Sequence, residues 1–158
     1  MNISAKTDYA MRALLHLTDS YLIDEEALIP SIEIARNQNI PVKYLESILS
    51  ELKLAHVVES KRGAYGGYRL ATHPKNISVA QILRITDGPL AVVKGQKPES
   101  VKYQGNAAAL QDVWIATRVA IRNILEDVSL YQIAQSKLPA KVMKTLTQPG
   151  AWERRKND

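Results

Sequence analysis

The chain has 158 residues, a formal net charge of +5 and a sequence pI near 9.4, which favour a single domain with an extension and a polyanionic partner. It contains no cysteine, which excludes disulfides and thiolate-bound metal or iron–sulfur clusters. No apolar run approaches the length that spans a bilayer and no signal-peptide pattern opens the chain, so we expect a cytoplasmic protein without a membrane partner.

Three helices are predicted in the first third of the chain. Ser4 suits an N-cap, and apolar residues recur at helical spacing through residues 5–22. A short second helix opens at Pro30, and a third helix has Pro41 in its first turn, where proline is tolerated. The residues expected to face inward from the second helix are Ile32, Ile34 and Ala35. Those expected to form the apolar face of the third helix are Leu45, Ile48, Leu49, Leu52 and Leu54.

A β-hairpin with a cationic, glycine-rich turn is predicted next. Residues 56–60 are β-prone, and residues 67–70 alternate as a returning strand does. The glycines of the turn permit positive φ and close approach of the backbone to a partner. The resulting order of elements is that of a winged helix–turn–helix protein, mainly α-helical with a small β-hairpin wing, whose second motif helix lies in the major groove of DNA. An ordinary exposed β-hairpin is the alternative interpretation of residues 61–70 taken alone.

The winged interpretation nominates residues for contact with double-stranded DNA. On the third helix, the candidates outside the apolar face are Lys43, Tyr44, Glu46, Ser47 and Ser50. In the hairpin, the candidates are Lys61, Arg62, Gly63, Tyr65, Gly66, Gly67 and Arg69. A lysine can contact a phosphate or a guanine edge, and a glutamate can accept a hydrogen bond from the amino group of a cytosine. For Glu46 the alternative is a solvent-facing role with Lys43 or Lys53 as an ion-pair partner.

Positive charge is concentrated near the hairpin rather than spread evenly. Acids outnumber basic residues in residues 1–51, whereas Glu59 is the only acid in residues 53–75. A second group of cations comprises Lys141, Lys144, Arg154, Arg155 and Lys156. This distribution argues against non-specific coating of nucleic acid by the whole surface.

A long helix is predicted in the second half of the chain. Ser78 caps a short helix that ends at about Asp87, before the helix-stopping Gly88 and Pro89. Residues 107–128 then form a helix whose apolar positions alternate at spacings of about four and three, the repeat of a helix–helix seam. The predicted seam consists of Leu110, Trp114, Thr117, Ile121, Ile124 and Val128. Because a compact winged domain cannot cover this surface alone, we expect a homodimer, with packing on the chain's own first helix as the alternative.

The predicted elements divide the chain into three parts. A winged helix–turn–helix DNA-binding domain covers residues 1–75, a linker helix and the long dimerisation helix cover residues 76–138, and a flexible basic tail covers residues 139–158. Weak attraction of the tail to phosphate and docking of Trp152 on the dimer are alternatives to simple disorder.

Catalytic and metal-binding motifs are absent from the sequence. No Walker loop, dinucleotide fingerprint or Gly-x-Ser-x-Gly elbow occurs. His16, His56 and His73 are scattered along the chain instead of being spaced as metal ligands. We therefore expect no enzyme, no metal site and no cofactor.

Several segments resemble, in order, the Rrf2 family of bacterial transcription regulators, over about residues 1–135. The matching segments are residues 2–10, 40–46, 62–70, 77–82 and 88–90, of which the wing and the Tyr-Leu-Glu run are the most specific. The resemblance implies a homodimeric winged-helix repressor or activator. It also implies that Lys43 and Glu46 meet bases and that Lys6 lies near the DNA backbone. Arg62 and the glycines after it take the place of the family's wing.

Two departures from the family pattern limit the resemblance. Pro41 stands where some members carry a DNA-contacting serine, so the resemblance does not extend to that contact. Many members place three cysteines between the Gly-Pro-Leu segment and the long helix, where they bind an iron–sulfur cluster, and residues 91–106 contain none. A cluster-free branch that represses cysteine metabolism is similar in this respect, which implies a repressor that answers to an effector protein or a small metabolite. The alternative function is a winged-helix protein–protein interaction module that does not bind DNA specifically.

Overall fold

The protein is mainly α-helical with one two-stranded antiparallel hairpin, as a computed structural model shows for residues 3–153, the part of the chain that the structure describes. Its helices and strands are α1 (Ala5–Ile23), α2 (Ser31–Gln38), α3 (Val42–Leu54), β1 (Val58–Lys61), β2 (Gly67–Leu70), α4 (Val79–Thr86), α5 (Leu110–Leu125), α6 (Leu130–Ala134) and α7 (Ala140–Leu146). Short 3-10 turns lie at residues 74–76, 98–100 and 105–107. Among the described residues, no helix combines the length and apolar character needed to cross a membrane.

The boundaries of the first three helices follow from local capping chemistry. The Ser4 hydroxyl caps α1 by accepting a hydrogen bond from the backbone N–H of Thr7 at 3.1 Å. At the end of α2, Asn39 adopts a left-handed conformation with φ of 51°, which asparagine tolerates better than most residues do. α3 then starts directly after Pro41. The predicted first helix is confirmed, and it ends at Ile23.

The core lies between α1, α2 and α3 and is closed by the hairpin, α4 and α6. Two residues predicted to face it are exposed instead: Ile32 is 62% exposed and Leu54 is 81% exposed. Ile32 lies two positions before the buried Ile34, and Leu54 lies two positions after the buried Leu52. Two residues turn an α-helix by about 200°, so both side chains point away from the core.

The hairpin is tied to the loop that precedes α2. β1 and β2 pair antiparallel, with the buried Val58 and Leu70 as register partners. Ile29 and Tyr68 exchange two backbone hydrogen bonds of 2.9 Å, which hold β2 against the chain before α2. The strand begins later than predicted, because His56 has φ of 56° and lies in the turn after α3.

α4 and α6 pack against α1, so elements of the predicted dimerisation part complete the core of the winged part. Ser78 caps α4 by accepting a hydrogen bond from the backbone N–H of Gln81 at 3.1 Å, which confirms the predicted start of this helix. Ser129 and Gln132 form a capping box at the start of α6. Leu130, the first residue of α6, is fully buried in the shared core. The expected boundary after residue 75 therefore does not separate two independent cores.

α5 is shorter than predicted and lies apart from the core. It spans 16 residues, none of them buried, and packs mainly on α4 and on the turn at residues 98–100. The prediction of a helix through Val128 is wrong, because α5 ends at Leu125 and Val128 lies in the connection to α6, only 6% exposed. The carbonyl of Val128 accepts a hydrogen bond from the backbone N–H of Val79 at 2.9 Å. Val128 is therefore buried within its own chain and does not belong to an exposed helix seam.

The C-terminal segment contains a helix where the sequence predicts a loose tail. α7 starts directly after Pro139, whose fixed φ suits entry into a helix. The indole N–H of Trp152 donates a hydrogen bond to the carbonyl of Leu146 at 3.0 Å, while the residue stays 81% exposed. The predicted cations at positions 154–156 and Asn2 of the first matching segment lie outside the described residues.

Candidate nucleic-acid interface

One face of α3 is open to solvent. The exposed polar residues on this face are Lys43, Glu46, Ser47 and Ser50. Their spacing of three and four residues places them along one side of the helix. Burial of the leucine and isoleucine side chains of α3 fixes the opposite side against the core. α3 therefore presents a polar row whose orientation is set by the packing of the core.

The carboxylate of Glu46 faces solvent without a cationic partner. Within the described part of the chain, Glu46 forms no ion pair within 4.0 Å. Lys53, one of the expected partners, donates instead to the hydroxyl of Ser60 on β1 at 2.7 Å. The carboxylate of Glu46 thus keeps its capacity to accept hydrogen bonds from a base.

The ring of Tyr44, a residue of α3, packs against α1. It is 39% exposed, and its ring meets the ring of Tyr9 edge to face, with 5.7 Å between centroids. Edge-to-face pairs of this kind stabilise the position of both rings. The remaining exposed part of Tyr44 adjoins the polar row of α3.

The turn between β1 and β2 projects cations and an aromatic ring into solvent. Lys61 and Arg62 are exposed, and Tyr65 is 95% exposed. Gly63 has φ of 109°, a conformation that side-chain-bearing residues rarely adopt, and the backbone N–H of Gly66 donates to its carbonyl at 2.9 Å. The turn is therefore a closed wing whose tip carries positive charge.

The other two glycines of the wing serve the hairpin itself. A Cβ at Gly67 would lie 2.6 Å from the backbone of Ile29, and a Cβ at Gly66 would lie 2.2 Å from the carbonyl oxygen of Lys61. Neither glycine has a positive φ. The sequence predicted that these glycines let the backbone approach a partner closely. At both positions the close approach is instead to another part of the same chain.

Two of the predicted DNA-contacting cations have carboxylate partners within the protein. Arg69 pairs with Glu26 and, at 3.1 Å, with Glu59; the hydrogen bonds that Arg69 donates to these carboxylates, the bond to Glu26 foremost, raise the pKa of Arg69. The Lys6 ammonium lies 2.6 Å from the Glu51 carboxylate, which joins α1 to α3. The roles of Arg69 and Lys6 in DNA binding stay predictions, whereas the structure shows both of them holding elements of the fold together.

A groove of about 1080 Å³ runs between α3 and the wing. Ser50 and Lys53 line it from α3, Arg62 and Tyr68 from the hairpin, and Ser31 from the start of α2. Sequence reasoning missed Ser31 and Lys53 as members of this surface. Lys53 follows Ser50 by three residues, so helical spacing could have placed it there, whereas Ser31 is brought there only by the packing of α2. The groove connects the C-terminal part of α3, from Ser50 onward, to the wing, whereas the exposed residues at the start of α3 do not line it.

A polar cluster that sequence reasoning missed joins α1 to the end of α4. The Asp87 carboxylate accepts hydrogen bonds from the backbone N–H of Ser4 at 3.2 Å and from the hydroxyl of Thr7 at 2.7 Å, and also from the Ser4 hydroxyl. These bonds, with the Ser4 hydroxyl as the largest cause, lower the pKa of Asp87. The start of α1, where Lys6 lies, is thereby anchored to the residue that precedes the loop leading to α5.

The sequence profile of the Rrf2 family, described as an iron-dependent transcriptional regulator, matches residues 3–136. The chain belongs to the Rrf2 family. A Mycobacterium tuberculosis protein named as an HTH-type transcriptional regulator is 38% identical over 142 residues, which cover 90% of this chain and 86% of that protein.

Solved structures of Rrf2 proteins share the fold. The structure of CymR, the global cysteine regulator of B. subtilis, is similar with a TM-score of 0.68 at 29% identity, and the match covers 86% of this chain and 98% of CymR. The structure of IscR from T. potens gives a TM-score of 0.66 at 26% identity, covering 91% of this chain and 96% of IscR. This Rrf2 protein is therefore a winged-helix, DNA-binding transcriptional regulator and not an enzyme. The alternative of a pure protein-interaction module is not favoured by these relatives.

The iron in the description of the Rrf2 family does not fit the residues of this member. The chain has no cysteine to supply thiolate ligands. Across residues 3–153, no group of three or more histidine, aspartate or glutamate side chains is placed to hold a metal ion. The described residues of this protein therefore provide no set of ligands for iron.

Proposed function

We propose that this regulator is a cytoplasmic homodimer that binds a pseudo-palindromic DNA site and represses transcription until an effector protein or a small metabolite releases it. The observation that carries the proposal is the exposed polar row of α3, whose last member, Ser50, shares a groove with the exposed cations of the wing. A helix of this kind enters the major groove, and a wing reaches the adjacent minor groove or backbone.

The two parts of this surface have different tasks. Lys61 and Arg62 at the wing contact phosphates or enter a minor groove, which supplies affinity with little sequence information. Lys43, Glu46 and Ser47 at the start of α3 contact base edges, because lysine suits guanine and a carboxylate suits the amino group of cytosine. Sequence preference therefore depends mainly on α3, and salt dependence mainly on the wing.

Dimerisation is supported by the exposure of α5. None of its residues is buried in the single chain, and Leu110, Val113 and Trp114 are 39%, 51% and 37% exposed. The proposed seam consists of Leu110, Trp114, Thr117, Ile121 and Ile124. α1 packs mainly on other elements, and the loop at residues 87–92 shares an open pocket with Trp114, Thr117 and Ile121 without burying them, so a second copy of the chain is the proposed cover for the exposed part of this face. Two protomers would place their α3 helices about 34 Å apart, one turn of DNA.

Selection of bound duplexes from a random pool, followed by fluorescence anisotropy at several salt concentrations, tests the proposal. We expect enrichment of a pseudo-palindromic sequence and an affinity that falls steeply with salt. Lys137→Ala, at an exposed cation far from α3 and the wing, is the control variant. Failure to enrich any sequence, or binding that does not respond to salt, would favour a protein-interaction module instead.

A further inference from the structure

A second pocket lies away from α3 and the wing, between the end of α4, the loop that follows it, and α5. Its cavity volume is about 460 Å³. Four cationic side chains line it from three elements, namely Arg84 of α4, Lys97 of the loop, and Arg118 and Arg122 of α5. Pockets for small ligands generally fall between about 300 and 1,000 Å³, so the space suits a metabolite rather than a macromolecule.

The positive charge of this pocket is only partly neutralised. Glu99, the one carboxylate among the lining residues, pairs with Arg118, and Arg84 pairs with Glu126, which lies outside the pocket lining. The Glu99 backbone and, after it, the Arg118 guanidinium stabilise this carboxylate and lower the pKa of Glu99. In the described part of the chain, Lys97 and Arg122 form no ion pair within 4.0 Å. Cations gathered in one concave site repel one another, and a bound anion relieves that repulsion.

Arg118 supplies a second, independent observation. Its Nε is buried and has no hydrogen-bond acceptor within the described residues, although its Nη1 reaches Glu99. A buried donor without an acceptor is unfavourable, and it leaves the guanidinium of Arg118 with one hydrogen bond unsatisfied. Guanidinium groups present several N–H donors in a planar fork that matches the oxygens of carboxylates and phosphates.

The rest of the pocket wall is apolar. Gly88, Pro89, Leu90 and Ala91 line it together with the cations. We propose that this pocket binds a small organic anion, whose carboxylate or phosphate oxygens contact the arginines and Lys97 and whose short carbon skeleton packs on residues 88–91. The combination of cations and apolar wall selects an organic acid or phosphate ester over a bare inorganic ion.

The position of the pocket connects it to the DNA-binding half. The loop that forms its apolar wall begins directly after Asp87, which accepts hydrogen bonds from Ser4 and Thr7 at the start of α1. Arg118 and Arg122 belong to α5, the proposed dimerisation helix. Anion binding is thus placed to change the relative positions of α1 and α5. This regulatory role depends on the proposed function, whereas anion binding itself does not.

Calorimetric titration of the full chain tests the pocket. The probes are succinate, glycerol phosphate and inorganic phosphate, with succinamide and glycerol as uncharged counterparts. Lys97→Gln and Arg122→Gln each remove one cation from the wall, and Lys102→Gln removes a cation from the same loop without touching the pocket. All three side chains are exposed, so none of the changes is expected to unfold the protein.

We expect succinate or glycerol phosphate to bind, the uncharged counterparts not to bind, and Lys97→Gln or Arg122→Gln to weaken binding about tenfold or more. Lys102→Gln should leave the affinity unchanged. Binding of inorganic phosphate alone, no binding of either organic probe at millimolar concentration, or affinity unchanged by both pocket variants would overturn the proposal. DNA binding is measured in parallel. If the protein binds the anion but no DNA, the proposed function is contradicted. If it binds DNA but neither organic probe, the proposed anion site is contradicted.

Discussion

α3 and α5 have similar amphipathic patterns in the sequence and opposite environments in the structure. The apolar residues Leu45, Ile48, Leu49 and Leu52 of α3 are fully buried. α5 contains no buried residue at all. An amphipathic helix buries its apolar face wherever a complementary face is available. Within the described residues, the chain buries the apolar face of α3 completely, whereas the contacts of α5 with α4 and residues 98–100 leave every residue of α5 at least partly exposed.

This difference distinguishes the stability of the folded chain from the stability of the proposed dimer. The orientation of α3, and with it the polar row that is proposed to face DNA, depends on contacts within one protomer. In the proposed homodimer, the environment of α5 depends on a second protomer and therefore on protein concentration. Damage to the α3 core should unfold the chain, whereas damage to the α5 face should separate two folded chains.

The largest expected effect is loss of the α3 core. Leu49→Ala should lower the free energy of unfolding by about 2 to 5 kcal/mol, because Leu49 is fully buried and its truncation leaves a cavity. Urea denaturation followed by circular dichroism measures the change. Leu54→Ala on the same helix is the matched control, since Leu54 is 81% exposed and its removal should cost less than about 0.5 kcal/mol. Equal losses for the two variants would show that the core does not fix α3.

The next effect should appear in association rather than in folding. Thr117→Glu places a charge at the centre of the proposed α5 seam and should weaken the dimer by about 3 kcal/mol, because the charge would be buried without a partner. Sedimentation equilibrium would report a shift toward monomer. Asn123→Glu, on another side of α5, should leave the association constant unchanged. A dimer that tolerates Thr117→Glu would place the seam elsewhere.

Smaller changes are expected at the residues of α3 that are proposed to contact DNA. Lys43→Ala and Glu46→Ala should each cost about 1 to 3 kcal/mol per lost base contact and should change the preferred sequence. Arg62→Ala should instead weaken binding to all sequences and reduce its salt dependence. Anisotropy with the selected duplex and with single-base variants of it separates the two outcomes. If neither variant of α3 changes affinity or preference, the start of α3 does not contact bases.

The smallest effect concerns the cluster that joins α1 to α4. The pKa of Asp87 is lowered in the folded protein, so its stabilising contribution is present above its unfolded pKa, about 4, and is lost as pH falls through the lower folded value. Asp87→Asn should therefore reduce stability at neutral pH, and the difference from the unaltered protein should shrink on acidification. Thermal unfolding at a series of pH values measures this, and a constant difference across the series would contradict it.

Local patterns in the sequence predicted the elements whose partners are local. Ser4 and Ser78 were correctly assigned as caps, because a cap and the N–H groups it accepts from lie within one turn. The buried leucines of α3 were correctly assigned, because the pattern repeats over three turns. Ile32 of α2 and Leu54 of α3 were wrongly predicted to face the core because they are apolar, although each is out of phase with the buried residues of its own helix.

Long-range contacts explain what the sequence did not predict. Asp87 lies more than 80 residues from Ser4, to which it is hydrogen-bonded, and no spacing rule connects them. Arg69 was expected to face DNA because it is a cation in the wing, and its pairing with Glu26 depends on how the loop before α2 folds over β2. Val128 was assigned to the seam by continuing the helical repeat past Leu125, where the chain turns to start α6.

The most direct test of the account is the stoichiometry and footprint of the complex with a selected duplex. Analytical ultracentrifugation should find two protomers on each duplex, and hydroxyl-radical footprinting should show two protected half-sites about 34 Å apart, one turn of DNA. Protection should weaken in both half-sites for Arg62→Ala. One protomer on a single protected site would contradict the claim that paired α3 helices and wings read the DNA. Two protomers whose protection of the DNA is unchanged by Arg62→Ala and Lys43→Ala would also contradict it.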